Sequence, residues 1–100
     1  MERPNILIFC TDQQHATHLG CAGAPFLQTP NIDRIAAAGV RFASAFSASP
    51  ACMPARATMF TGLTPRGNNM RQHGLPLPED IPTLPGLLAD AGYRTHSAGK

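Results

Sequence analysis

The feature that most constrains the fold is a run of five consecutive apolar residues near the N-terminus, at positions 6–10. The run lies between Pro4 and Asp12, and it is apolar on both faces instead of alternating with polar residues. This pattern is typical of a strand buried on both faces in a parallel sheet, where helices cover each side. We therefore predict a central strand over residues 5–11. Such a strand needs neighbouring strands on both sides.

Signals for a helix and a second strand follow. Thr29 offers a capping hydroxyl, Pro30 stands at the first helical position, and Gly39 is placed to end the helix in a left-handed turn. Residues 40–46 then alternate in polarity, which predicts a strand.

The middle of the chain predicts a short helix and a long loop. The helix covers residues 56–61, is entered through Pro54 and is stopped by Gly62. Residues 64–82 are rich in Pro, Gly and Asn, which favour turns over regular elements. We therefore expect no helix or strand in that stretch.

A third helix and a last strand complete the predicted elements. Thr83 caps the helix, Gly92 ends it, and residues 93–97 alternate as a strand. Strands interspersed with helices over 100 residues indicate the α/β class. Three short strands make a thin sheet, and the sequence stops at Lys100 without a polar tail. We hypothesise that residues 1–100 are the N-terminal portion of a larger α/β protein, cut after Lys100.

Composition and charge exclude several classes of protein. Hydrophobic residues make up 43% and charged residues 14%, which argues against a disordered, charge-dominated tail. The net charge of +2 is scattered, so no basic stretch predicts nucleic-acid binding. The longest apolar run is far shorter than the roughly 20 residues that span a bilayer, so a soluble protein is expected.

The cysteines and the N-terminus bear on location. The sequence has three cysteines, an odd number, and no C-x-x-C pair, so a disulfide framework is not expected. The first residues lack the apolar stretch and cleavage site of a secretory signal. Both observations favour a reducing compartment, and we expect a cytoplasmic protein.

The segment that points most directly to chemistry is 49–56. Cys52 lies between two prolines and just ahead of the predicted helix, where free backbone N–H groups favour thiolates and oxyanions. Arg56 would lie about one helical turn further on, within reach of the same anion. A buried cysteine beside a surface arginine is an equally good interpretation of these residues alone. A cysteine-phosphatase loop does not fit, because only three residues separate Cys52 from Arg56.

The pattern Cys52-x-Pro54-x-Arg56 resembles the signature of the sulfatase family, in which the cysteine is oxidised after translation to formylglycine. Further blocks match the family in order and spacing: residues 4–7 leading to Asp12, then 19–21, 29–36, 39–42, 61–65, 91–95 and 99–100. The resemblance covers essentially the whole chain. It implies the α/β fold of the alkaline phosphatase superfamily, a mainly parallel sheet flanked by helices. The implied reaction converts a sulfate monoester to an alcohol or phenol plus sulfate.

The resemblance also implies roles for individual residues. Cys52 would be the precursor of a hydrated aldehyde; one hydroxyl attacks sulfur, and the other loses its proton to expel sulfate. Arg56 would stabilise that group, and Lys100 would contact the sulfate of the substrate. Asp12 would be a ligand of a divalent metal, with Gln13 beside it. Ca²⁺ is the expected ion, with Mn²⁺ or Mg²⁺ as alternatives, and a formylglycine-generating enzyme is the expected partner.

Two positions depart from the family pattern. Gln13 stands where many sulfatases have a second aspartate, and an amide oxygen binds Ca²⁺ with less charge. The Asp12-Gln13 pair also resembles family members that act on choline sulfate or phosphonate monoesters, so a phosphonate or phosphate ester hydrolase of the same superfamily is the alternative function. Ala55 stands where serine is common, although the Cys-x-Pro-x-Arg core is complete.

Without the family resemblance, Asp12 would be interpreted as an ordinary carboxylate at a strand end, and Lys100 as a solvated amine.

A last pattern, His15-x-x-His18-x-x-Cys21, has the spacing of a transition-metal site on a helix. The nearby Gly20 and Gly23 favour an irregular loop instead. We therefore expect these histidines to bind substrate or to hydrogen-bond locally.

Overall fold

The computed structural model describes residues 3–100, which divide into two compact units. The first ends at Ala45, and the second is Phe46–Lys100. Within residues 3–100 there are three α-helices: α1 at Pro30–Ala38, α2 at Cys52–Thr61 and α3 at Leu84–Asp90. A 3₁₀ turn at Gly20–Ala22 precedes α1. None of the described helices is both long enough and apolar enough to cross a bilayer.

Helix α1 lies where the sequence predicted it, but its two ends differ from the prediction. The Thr29 hydroxyl does not cap the helix; it donates to Asp33 Oδ1 at 2.8 Å and accepts from Gly20 N at 2.8 Å. Asp33 Oδ1 also accepts from Cys21 N at 2.7 Å. Gly39 ends the helix with φ of −137°, so the predicted left-handed turn is wrong. The Thr29 side chain instead links the 3₁₀ turn to α1.

Helix α2 begins four residues earlier than predicted, so Cys52 is its first residue. Pro54 lies in the first turn, where its missing N–H would have had no partner inside the helix. Gly62 ends α2 as predicted, with φ of 69° and its N–H donating to Thr58 O. The earlier start places the thiol on the helix itself.

Helix α3 follows the predicted signals closely. The Thr83 hydroxyl accepts from Gly86 N at 3.3 Å and caps the helix. Gly92 follows its end with φ of 88°. Helices α2 and α3 contact each other within the second unit, and residues 64–82 contain no helix or strand, as expected.

The three predicted strands, at 5–11, 40–46 and 93–97, are absent: residues 3–100 contain no strand. The physical reason is that a strand exists only with a hydrogen-bonded neighbour, and these segments do not pair with one another. Their apolar side chains are left exposed; Phe9 is 84% and Phe46 91% accessible. The α/β sheet is therefore not formed within the described part of the chain.

The described residues form little core. Pro54 and Ala57 of α2 are buried, together with Met70 from the following loop. In the first unit, the 3₁₀ turn and α1 border an apolar pocket of about 240 Å³, whose lining includes Leu19 and Ile32. Of the candidate site residues, Cys52 and Arg56 lie on α2, the helix that carries buried Pro54 and Ala57.

Candidate active site

Cys52 is held at the start of α2 by a chain of serine contacts ahead of the helix. The Ser47 hydroxyl donates to Ser49 O at 2.7 Å, and the Ser49 hydroxyl accepts from Ala51 N at 3.2 Å. Ala51 is extended, and its carbonyl accepts the N–H of Ala55. Since the first turn of a helix has N–H groups without helical partners, the half-buried thiol lies at an end that favours anions.

Lys100 brings a positive charge to this thiol. Its Nζ lies 3.8 Å from Cys52 Sγ, although 48 positions separate the two residues. Arg56, half-buried, follows Cys52 by one turn on α2, and side chains at this spacing share a helix face. The second unit thus places the predicted nucleophile precursor on one helix with Arg56 and in contact with Lys100.

The far end of α2 is fixed by Asn68, which is fully buried. Its Nδ2 donates to Thr61 Oγ1 at 3.3 Å and to Leu63 O at 3.2 Å, and its Oδ1 accepts from Met70 N at 2.9 Å. The sequence pattern suggested only that Asn68 breaks regular structure. Its burial depends on contacts with residues on both sides of it, which no periodicity reveals. Asn68 is therefore a supporting residue that sequence reasoning missed.

Asp12 and Gln13 lie in the first unit, just after the apolar residues 6–10. Both are exposed, and Gln13 has a left-handed φ of 52°, which is uncommon for a residue other than glycine. A carboxylate and an amide oxygen are donors that Ca²⁺ accepts, but Ca²⁺ takes about six to eight oxygen ligands. No group of three His, Cys, Asp or Glu side chains suited to a metal occurs within residues 3–100. The two side chains are of the kind that binds Ca²⁺, but two ligands are fewer than a Ca²⁺ ion requires.

The two histidines that follow contact each other. The ring centroids of His15 and His18 are 4.9 Å apart, and His18 lies edge-on to Phe26 at 6.2 Å. His15 Nδ1 also lies 2.9 Å from Thr17 Oγ1, and Gln14 Nε2 donates to His18 O. The segment is an irregular loop, as expected, and these local hydrogen bonds match one of the two interpretations left open for its histidines.

The pKa of the Asp33 carboxyl group is lowered from its ordinary value. The hydrogen bond from the Thr29 hydroxyl lowers this pKa, partial desolvation opposes the shift, and the hydrogen bond from Cys21 N adds to it. The 3₁₀ turn approaches so closely that a Cβ at Gly20 would collide with the Asp33 carboxylate. Asp33 is thus a charged anchor for the loop that follows the histidines.

Comparison with known proteins adds an independent result. The family profile described as Sulfatase matches residues 4–100. The chain is 41% identical over 100 residues to the uncharacterized sulfatase YidJ of Escherichia coli K12, covering 100% of this chain and 20% of that protein. It is 36% identical over 99 residues to an N-acetylglucosamine-6-O-sulfatase of Bacteroides thetaiotaomicron, covering 99% and 18% respectively. It is 38% identical over 112 residues to the N-acetylgalactosamine-6-sulfatase of Canis lupus familiaris, covering 97% and 21%.

The chain therefore spans about a fifth of the length of these curated relatives. No solved structure matches it with significance.

Proposed function

The chain belongs to the sulfatase family, and on that premise we propose that the full-length protein hydrolyses a sulfate monoester through a formylglycine formed from Cys52. The observation that carries the proposal is the contact between Lys100 Nζ and Cys52 Sγ at the first residue of α2. A nucleophile precursor next to an ammonium group, at a helix end that favours anions, suits attack on a group with several negatively charged oxygens.

Each residue of this cluster has a separate task. When formed, formylglycine supplies a carbon with two hydroxyls, one to attack sulfur and one whose deprotonation expels sulfate. Lys100 binds a sulfate oxygen by charge and hydrogen bonding. Arg56 places its guanidinium on the same face of α2, where its fixed charge opposes the negative charge that develops during transfer. The charges are held in place before reaction, so little reorganisation is needed.

Asp12 and Gln13 are proposed to contribute two oxygen ligands to a Ca²⁺ site, with Mn²⁺ or Mg²⁺ as alternatives. Because no group of three His, Cys, Asp or Glu side chains suited to a metal occurs within residues 3–100, we propose that further ligands come from elsewhere in the full-length protein. A bound divalent ion would supply Lewis-acid activation of the attacking hydroxyl. A formylglycine-generating enzyme is the proposed partner, since the Cys-x-Pro-x-Arg core is complete.

The names of two relatives support a proposal for the substrate class. Their names describe sulfatases of N-acetylglucosamine and N-acetylgalactosamine 6-sulfates. We propose carbohydrate sulfates of this kind as the first substrates to assay. We keep a phosphonate or phosphate ester hydrolase as the second candidate, because the Asp12-Gln13 pair resembles family members that act on phosphonate monoesters.

The test uses full-length protein co-produced with a formylglycine-generating enzyme. Aryl sulfate, sugar 6-sulfates and an aryl phosphonate are compared as substrates, with wild type, Cys52→Ala and Cys10→Ala as the three proteins. We expect sulfate esters to be preferred, Cys52→Ala to be inactive and Cys10→Ala to retain activity. A preference for the phosphonate would favour the second candidate, and undiminished turnover by Cys52→Ala would overturn the mechanism.

A further inference from the structure

We propose that the aldehyde formed at position 52 reacts reversibly with the Lys100 amine of the same chain, giving an internal imine that stores the site in an inactive form. The inference rests on the proposed function, because it requires the conversion of Cys52. It concerns a covalent link between two residues, which sulfate ester hydrolysis itself does not require.

The geometry is the starting point. Lys100 Nζ lies 3.8 Å from Cys52 Sγ, and this sulfur is bonded directly to Cβ, the carbon that becomes the aldehyde carbon. Conversion replaces the sulfur by an aldehyde oxygen on the same Cβ, so the amine lies beside the new carbonyl group. Lys100 is exposed, and its flexible four-carbon side chain can close the remaining gap.

Within residues 1–100, one side chain is suited to this reaction. Lys100 is the only lysine in the sequence. The arginine closest in sequence, Arg56, stays protonated and does not add to carbonyls under these conditions. Lysine amines form imines with carbonyl groups readily, and linkage within one chain gives an effective concentration in the millimolar range or above.

The reaction balances without any co-reactant. The nitrogen lone pair of the neutral amine adds to the aldehyde carbon, the carbonyl oxygen takes up two hydrogens from nitrogen, and this oxygen leaves as water. A C=N bond thereby replaces the C=O bond, with no oxidation or reduction. Addition of water reverses every step and restores both the aldehyde and the amine.

The imine would affect two functions at once. It removes the aldehyde from which the attacking hydroxyls arise, and it removes the ammonium group that binds the sulfate oxygen. Conversely, an anion bound at Lys100 keeps this residue protonated and holds it away from the carbon. Sulfate should therefore shift the equilibrium towards the open aldehyde, as any ligand does when it binds one of two states.

The test is reductive trapping in the full-length, converted protein. The metal is removed with a chelator, the protein is treated with sodium cyanoborohydride and then borohydride, and the peptides carrying positions 52 and 100 are analysed by mass spectrometry. Parallel samples contain inorganic sulfate or the variant Lys100→Arg. We expect a cross-linked peptide pair lighter than the two separate aldehyde and lysine peptides by one water and heavier by two hydrogens.

Each result has a distinct meaning. A cross-link between positions 52 and 100 that is lost in Lys100→Arg and reduced by sulfate supports the imine. Serine at position 52 with no cross-link overturns the imine but leaves the proposed function standing, because serine is the reduction product of the aldehyde. Unchanged cysteine both in protein co-produced with a formylglycine-generating enzyme and in protein from the native host overturns both.

Discussion

Lys100 Nζ lies 3.8 Å from Cys52 Sγ, so a cation reaches the first residue of α2 from a segment 48 positions further along the chain. The start of α2 is determined by residues close in the chain, whereas the position of Lys100 beside it depends on tertiary structure. Because backbone N–H groups and the ammonium both favour anions here, a sulfate at this position would meet positive charge from two directions.

The charge of Lys100 can be tested by Lys100→Met in the full-length protein. We expect kcat/KM for sulfate esters to fall by about 10²-fold or more, because a preorganised charge on the developing oxyanion is lost. Lys100→Arg should retain more activity than Lys100→Met. Arg66→Met, which removes a positive charge from an exposed turn, is the matched control. An equal fall in kcat/KM for Lys100→Met and Arg66→Met would show that activity depends on the net charge of the protein and not on the position of Lys100.

The need for two hydroxyls on one carbon can be tested by Cys52→Ser. A serine hydroxyl can accept the sulfuryl group but has no second hydroxyl to expel it. We expect a single turnover at most, followed by accumulation of a sulfated peptide at position 52, measured by intact mass and burst kinetics. Sustained turnover by the serine variant, at the rate of the converted wild type, would contradict the mechanism.

Local signals in the sequence predicted all three helices but only some of their ends, and the caps that were predicted depend on residues close in the chain. The Thr83 hydroxyl does cap α3, and Gly62 does end α2 in a left-handed conformation. The start of α2 was predicted too late, because Pro54 signals a helix entrance but is also tolerated inside the first turn. The sequence therefore predicted correctly that Arg56 lies about one helical turn from Cys52. Only the residue at which the helix begins was predicted wrongly.

What sequence patterns did not predict depends on partners distant in the chain or outside the described residues. The apolar residues 6–10 indicate a strand, but a strand forms only when a neighbour accepts and donates its hydrogen bonds. Asn68 is buried through contacts that the turn-like composition around it does not reveal. The role of Lys100 came from family resemblance, since nothing in its local pattern points to Cys52.

The support that Asn68 gives to α2 can be tested by Asn68→Ala. This change leaves the buried Met70 N–H without its acceptor and removes two bonds that tie the loop to the helix end. We expect a loss of about 1–3 kcal/mol in the free energy of unfolding, measured by denaturant titration of the full-length protein. Asn69→Gly is the control; Asn69 is exposed with φ of 62°, which glycine adopts without strain. Equal free energies of unfolding for the two variants would contradict the proposal that Asn68 stabilises the end of α2.

A polypeptide of residues 1–100 alone should be catalytically inactive and should bind hydrophobic dyes. Phe9 and Phe46 are 84% and 91% accessible, and apolar surface of this kind attracts dyes such as anilinonaphthalene sulfonate. Turnover should be absent because Asp12 and Gln13 supply too few ligands for a divalent ion. Dye fluorescence and an aryl sulfate assay test both points. Measurable hydrolysis by this polypeptide would contradict the expectation about the metal.

The anchor between the 3₁₀ turn and α1 makes a prediction about pH. The Thr29 hydroxyl, with the Cys21 N–H, lowers the pKa of the Asp33 carboxyl group in the folded protein. Ionised Asp33 therefore stabilises the fold at all pH values above its unfolded pKa, and this contribution disappears as the pH falls through the lower, folded pKa. Asp33→Asn keeps the shape of the side chain but removes the charge. We expect the variant to have a lower Tm than wild type at neutral pH, with a difference that narrows in acid.

Asp90→Asn provides the comparison for this titration. Asp90 is exposed at the last residue of α3, where the helix dipole disfavours a negative charge, so its neutralisation should not lower Tm at neutral pH. Thermal unfolding of the full-length wild type and both variants, from neutral pH into acid, measures the two effects. A Tm difference for Asp33→Asn that stays constant across this range would assign the effect to packing. The hydrogen bonds from Thr29 and Cys21 would then contribute no more to the ionised than to the neutral side chain.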